Sequence, residues 1–234
     1  MITRRERIRQ AAIDEIKVIA WQIINEQGSA DVTLNEITKR MGMTPPAFYG
    51  YFKNREELLK TLIIDSYHSY QEALEKGLDS AADKSIADQL VSVFIAYWHW
   101  AIENPVAFGL YAGRPVYGIN PPEESVIREA EKVNLFFINL YRIAWKKGMI
   151  RIQPELMEFP AALKKTISAL IKERDLDVPE WLIAVSLNIG CLVHGIISMQ
   201  ISGRMTPIVG DGFQFYRLQV LNMLKQIGLE PAQV

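Results

Sequence analysis

Cysteine is nearly missing: Cys191 is the single one in 234 residues. No disulfide can form within the chain, which fits a reducing compartment and excludes a disulfide-stapled scaffold. Histidine is scarce, with only His68, His99 and His194. No excess of charge of either sign exists, because 26 Lys and Arg stand against 27 Asp and Glu. Sustained period-two alternation, heptad runs, internal repeats and low-complexity tracts are also missing, so a strand-built fold, a coiled coil and a repeat array are excluded. The amino terminus is charged from residue 4 and has no apolar signal core. A phosphate-cradling glycine loop and a G-x-S-x-G elbow are lacking too, so no catalytic residue, metal or cofactor is assigned and the chain is not expected to be an enzyme.

What remains is a chain 49% hydrophobic and 23% charged, the balance of a soluble globular protein with a small head and a larger body. Its expected place is the cytoplasm. The near-zero net charge hides an asymmetry. Through Lys60 there are ten Lys or Arg and eight Asp or Glu, and the remainder has 16 against 19. Arg4, Arg5, Arg7 and Arg9 crowd the amino terminus. They read either as a solvated helix face or as contacts to phosphate or the minor groove.

The chain reads as helix throughout. Ile8, Ala12, Ile16, Ile19 and Ile23 repeat at three- and four-residue steps and make one apolar stripe ending near Gly28. Thr33 and Glu36 have capping-box spacing, with Val32 and Ile37 placed for a hydrophobic staple. That helix ends near Met41 at the Gly42 turn. A short third helix starts with Thr44 as N-cap and Pro45 at its first position, where a missing N–H costs nothing, and ends near Tyr51. A fourth starts at Asn54 and ends about Lys76. Body helices are expected over 85–103, 105–112, 122–147, 155–174, 180–203 and 211–227. Three regions follow: 1–54 as a helix-turn-helix head, 55–84 as connecting helix and linker, and 85–234 as the body.

The run from Ile37 to Leu59 carries the turn at Gly42, Met43-Thr44 entering a short helix, the block Phe48-Tyr49-x-Tyr51-Phe52, and Arg55-Glu56-Glu57-Leu58 opening the next helix. These pieces resemble the signature of the tetracycline-repressor (TetR) family over about 50 residues. The resemblance implies an all-α fold, with a three-helix helix-turn-helix head joined by a fourth helix to a helical-bundle body that binds ligand and dimerises. It implies double-stranded DNA, a small-molecule effector and a second copy of the chain as partners. The sequence departs from the family pattern at Thr38 and Met41, where small alanines are usual, at Arg55, which replaces a common lysine, and at Pro45 and Pro46, which replace polar residues.

The candidate DNA-contacting residues are Arg4, Arg5, Thr33, Thr44, Pro45, Ala47, Tyr49, Gly50, Tyr51, Lys53 and Arg55. A helix running only from Pro45 to near Tyr51 is too short to stand alone, so Ala47, Phe48 and Phe52 are its expected packing residues, and Tyr49 and Tyr51 offer hydroxyls to phosphate oxygens. Arg55 sits at a helix start, where a cation opposes the dipole. An anion shared with the helix N–H groups would explain it. Proline side chains cannot hydrogen-bond to bases, so sequence reading leans on Tyr51, thymine-methyl contacts and DNA shape.

In the body, no charge occurs from Trp181 to Gly203. That length would span a bilayer, but Ser186, Asn188, His194, Ser198 and Gln200 interrupt it, and a buried helix without a membrane partner is the reading taken. The resemblance implies a dimer through the last two long helices, and Gly190, Cys191, His194, Gly195 and Ser198 are the candidate interface residues. The segment Cys191–Met199 also resembles a subgroup with a His-Gly element in its carboxy-terminal domain. Aromatics crowd the middle of the chain, either as core or as the wall of a ligand cavity. Trp98, His99, Tyr111, Asn134, Phe137 and Tyr141 are the candidates for an apolar or aromatic effector. Two other classes stay open: a sequestering protein with an unused head, and an enzyme working at Cys191 and His194, which lie at i and i+3.

Overall fold

The computed structural model describes residues 3–28, 32–112, 123–152 and 158–232. Among them every regular element is a helix: α1 (Arg4–Gln27), α2 (Leu34–Met41), α3 (Pro45–Phe48), α4 (Arg55–Asp79), α5 (Ile86–Glu103), α6 (Pro105–Ala112), α7 (Glu124–Lys146), α8 (Ala161–Glu173), α9 (Glu180–Ile201), α10 (Thr206–Val209) and α11 (Phe213–Gln226). The chain divides into two compact units. The first is Met1–Ser69 with Asn104–Ala130, and the second is Tyr70–Glu103 with Glu131–Val234. Helices α4 and α7 contribute to both.

The first unit is built around Ile16, Ala20, Ile23, Ile24, Val32, Ile37, Phe48, Phe52, Leu58, Leu59 and Leu62, all buried. Of the expected α1 stripe, Ile16 and Ile23 are buried and Ala12 and Ile19 half-buried. Ile8 is 60% exposed, because the first turns of α1 run past the apolar cluster. Helix α1 starts at a capping box the sequence reading overlooked. Thr3 Oγ1 accepts from Glu6 N, and Glu6 Oε2 accepts from Thr3 N at 2.7 Å. Gly28 closes the helix in the left-handed region at φ 63°, where only glycine avoids a steric cost.

In the second unit, α5 buries Ile86, Leu90, Val93, Phe94, Tyr97, Trp98 and Trp100 and packs against α9 and α11. Helix α4 continues through Gly77 to Asp79, beyond the expected end near Lys76. The reason is a close crossing: a Cβ at Gly77 would lie 2.7 Å from Ala96 Cβ, and Ser92 Oγ donates to Gly77 O at 2.7 Å. A glycine that reads as a linker is thus the contact point of two helices. Helix α9 is long and apolar enough to cross a membrane, and 39% of its most apolar stretch is buried in the fold. Of the helix expected over 155–174, residues 155–157 lie outside the described residues, and the described part starts at Ala161 after Pro160.

Candidate nucleic-acid interface

The interface is assembled from the cap of α2 to the start of α4. Thr33 Oγ1 accepts from Glu36 N at 3.3 Å, as a helix N-cap does. The Glu36 carboxylate does not return to Thr33. It accepts from Gln27 Nε2 and from Arg40 instead, so only half of the expected box forms. Arg40 is also bidentate to Glu26, at 2.9 and 2.6 Å. That pairing holds the Glu26 carboxyl below its ordinary range and raises the guanidinium. Arg40 therefore ties α2 to α1. Gly42 takes φ 61° and turns the chain.

Helix α3 ends at Phe48, sooner than expected, and Tyr49–Tyr51 form turns. Gly50 N donates to Ala47 O, and Tyr51 N to Phe48 O. Phe48 is fully buried and stacks on Phe52 with ring centres 5.7 Å apart. This anchor leaves Thr44, Pro45, Pro46, Ala47, Tyr49 and Gly50 exposed. Tyr49 is 55% exposed and meets Phe48 edge-on, whereas Tyr51 is half-buried. Thr44 caps α3 through its carbonyl, but its hydroxyl makes no capping bond. Thr44 thus holds the N-cap position expected of it without the hydroxyl bond that the sequence suggests.

Arg55 makes one contact that the sequence does not announce. Its Nε donates to Val32 O at 2.7 Å, so this cation at the start of α4 also clasps the segment before α2. At the same helix start, Asn54 Oδ1 accepts from Glu57 N at 2.8 Å and Glu57 accepts from Lys53 N. Arg4, Arg5 and Lys53 are exposed. Arg9, one of the four amino-terminal arginines, has its Nη2 3.4 Å from Gly50 O. Nothing in the spacing of residues 9 and 50 announces that contact.

The residues considered for an effector are divided between the units. Tyr111 lies in the first, with its ring 5.2 Å from Tyr67 and 5.9 Å from Phe108. Burial, then the Tyr111 hydroxyl, pushes the Tyr67 phenol up to about 12. The others lie in the second unit. Trp98 packs on Tyr216 at 4.8 Å, and His99 on Phe213 at 5.3 Å. Tyr216 Oη donates to Phe94 O at 2.8 Å, and Phe94 stacks on Phe137 at 5.3 Å. Trp98, His99 and Phe137 are thereby joined in one aromatic chain, while His99 and Asn134 are exposed. Tyr141 is buried, and its hydroxyl has no hydrogen-bond partner among the described residues; burial raises its pKa far above the ordinary phenol value.

On α9, Gly190, Cys191 and Ser198 are exposed and Gly195 is half-buried. Leu187, at 66% exposure, shares that side with Leu192 and Met199. His194 turns inward, with Nδ1 2.9 Å from Tyr97 Oη, and burial lowers its pKa. Cys191 and His194 thus point differently despite their spacing. Among the described residues, no group of three or more His, Cys, Asp or Glu converges as a metal site.

A short helix anchored by Phe48, turned in by Gly42 and presenting an exposed Thr44–Gly50 edge, is the reading element of a helix-turn-helix DNA-binding protein. Residues 18–62 match the family described as bacterial regulatory proteins, tetR family. Over 203 residues the chain is 23% identical to the HTH-type transcriptional regulator Rv1816 of Mycobacterium tuberculosis, spanning 87% of this chain and 86% of that one. The regulatory protein SCO4313 shares the fold with a TM-score of 0.74 and 26% identity, over 95% of this chain and all of that one. A bacterial regulatory protein in the tetR family from Rhodococcus RHA1 aligns with a TM-score of 0.61 at 19% identity, covering 94% and 98%. Residues 18–62 form a head of the tetR family, and the chain, similar to an HTH-type transcriptional regulator over most of its length, is a DNA-binding transcriptional regulator.

Proposed function

We propose that the chain is a homodimeric repressor, released from a near-palindromic operator by a small effector. The observation that carries this reading is the exposed edge of the head. Thr44 and Tyr49 keep hydroxyls free of capping or core duties, beside exposed Pro45, Ala47, Gly50 and Lys53. Each head would set this edge in a major groove, with hydroxyls and Lys53 on phosphates. Arg55 would act there mainly by fixing the start of α4.

The dimer is supported by the free side of α9. Leu187, Cys191, Leu192 and Met199 make an uncharged exposed surface on a regulator, and a second copy of the same helix would cover it with matching apolar side chains. The effector is supported by Tyr141. A buried hydroxyl without a partner costs about 1–3 kcal/mol, and a ligand with a hydrogen-bonding group among the aromatics of the second unit would remove that cost. An apolar or aromatic molecule with one polar handle fits this chemistry. Such a ligand weakens DNA binding if it prefers a body that spaces the two heads wrongly for the operator.

The test uses the DNA upstream of the chain's own gene. Footprinting should show two protected half-sites about one helical turn apart. Tyr49→Ala should lose that protection while the protein remains dimeric in sedimentation. Full protection by Tyr49→Ala at fixed salt would refute the proposed reading edge.

A further inference from the structure

Arg9 bridges α1 to the turn after α3: its Nη2 lies 3.4 Å from the carbonyl of Gly50. A carbonyl occupies one N–H of a guanidinium but leaves its charge intact, and four other donors remain. Among the described residues no carboxylate pairs with it. Among the described residues, Lys17, Arg40 and Lys60 of the first unit each pair with an acid, to Asp65, Glu26 and Glu123. Arg4, Arg5, Arg7 and Arg9 form no ion pair there. The one acid among them, Glu6, is turned to the Thr3 backbone, and that hydrogen bond, then the Thr3 hydroxyl, holds its carboxyl below the ordinary range.

We infer that Arg9 and Arg5 form a phosphate clamp beside the reading element, gripping the DNA backbone while Tyr49 and its neighbours face the groove. The inference rests on the DNA-binding role of the head and singles out two of its four amino-terminal arginines, with a direction. The Thr3–Glu6 box fixes the first turn of α1 as helix, so the directions of the four arginines follow from 3.6 residues per turn. Arg5 stands about 40° around the helix from Arg9, on the side that touches Gly50, whereas Arg4 and Arg7 stand about 140° and 160° away. Only Arg5 and Arg9 share the flank of the exposed Tyr49–Gly50 turn. Guanidinium forks on that flank match phosphate oxygens in charge and geometry, and phosphate binding needs no particular base sequence.

The experiment uses the full chain and a fluorescein-labelled duplex of mixed sequence, about three helical turns long. Anisotropy gives the affinity between about 50 and 200 mM salt, and each phosphate contact contributes about 0.9 to the slope of log K against log salt. Arg9→Gln and Arg5→Gln should each lower the slope by about 0.9 per chain bound, with melting temperature unchanged. Arg9→Lys should keep the slope, and Arg4→Gln and Arg7→Gln should leave it as in the parent. An unchanged slope for Arg9→Gln overturns the clamp. So does an equal loss for all four arginines, the mark of diffuse attraction, or a loss for Arg9→Gln that only tracks a fall in melting temperature. A parent protein with no salt-dependent affinity for the duplex would sink the DNA-binding reading of the head itself, a result distinct from failure of the clamp.

Discussion

Tyr97 Oη lies 2.9 Å from His194 Nδ1, joining α5 to α9 inside the second unit. Burial lowers the pKa of the imidazole, so the fold favours its neutral form, in which Nδ1 can accept from the phenol. The unfolded chain then binds the proton more readily than the folded one. Stability from this site is complete above the ordinary histidine pKa of about 6.5 and is lost as pH falls below it toward the depressed folded value. Urea denaturation at several pH values should show this decline. His194→Gln should flatten it, and an equally steep decline in that variant would assign the dependence to other groups.

Arg55 gives a prediction that separates two roles. Its Nε bond to Val32 O ties the start of α4 to the segment before α2, and a hydrogen bond from a charged donor contributes about 1.5–3 kcal/mol. Arg55→Ala should lower the melting temperature of the protein as well as its DNA affinity. Arg55→Lys should restore less of the stability than of the affinity's salt dependence, because an ammonium keeps the charge but lacks the planar fork. Calorimetry beside salt titration reads both quantities. Undiminished stability in Arg55→Ala would leave the clasp without a role.

Thr33 and Thr44 look alike as caps in the sequence but differ in structure. Thr33 Oγ1 holds Glu36 N, whereas the Thr44 hydroxyl makes no capping bond. Thr33→Ala should cost about 1 kcal/mol, and Thr44→Ala only a few tenths. The order should reverse for DNA affinity relative to stability, with Thr44→Ala weakening binding in a protein that melts normally. Equal destabilisation of the two variants would contradict the hydrogen-bond pattern.

These residues also show where sequence reasoning reaches. Helix starts were legible at Thr33, Asn54 and Glu180 because caps and prolines act over three or four residues. The same rule applied to Thr3 and Glu6 would have found the box that starts α1. Contacts between residues distant in sequence left no such trace. Arg9 meets Gly50 and Arg55 meets Val32 only because the helices bring them together. Gly77 reads as a linker residue until α5 crosses it. The aromatic composition pointed to the middle of the chain, but not to which rings meet, since that depends on packing of α5, α7 and α11.

The glycines of α9 offer the sharpest test of the dimer. A Cβ added at Gly190 or Gly195 would meet nothing within 4 Å of this chain, and alanine is favoured over glycine within a helix by about 0.8–1 kcal/mol. Within one chain, Gly190→Ala and Gly195→Ala should therefore stabilise α9. If a second copy packs its own α9 close at these positions, the added methyl groups separate the helices and weaken association instead. Sedimentation equilibrium should show a weaker dimer for one or both alanine variants, and a monomer for Leu187→Glu, which sets a charge on the exposed apolar side. Alanine variants that melt higher and associate as tightly as the parent would move the interface away from these glycines.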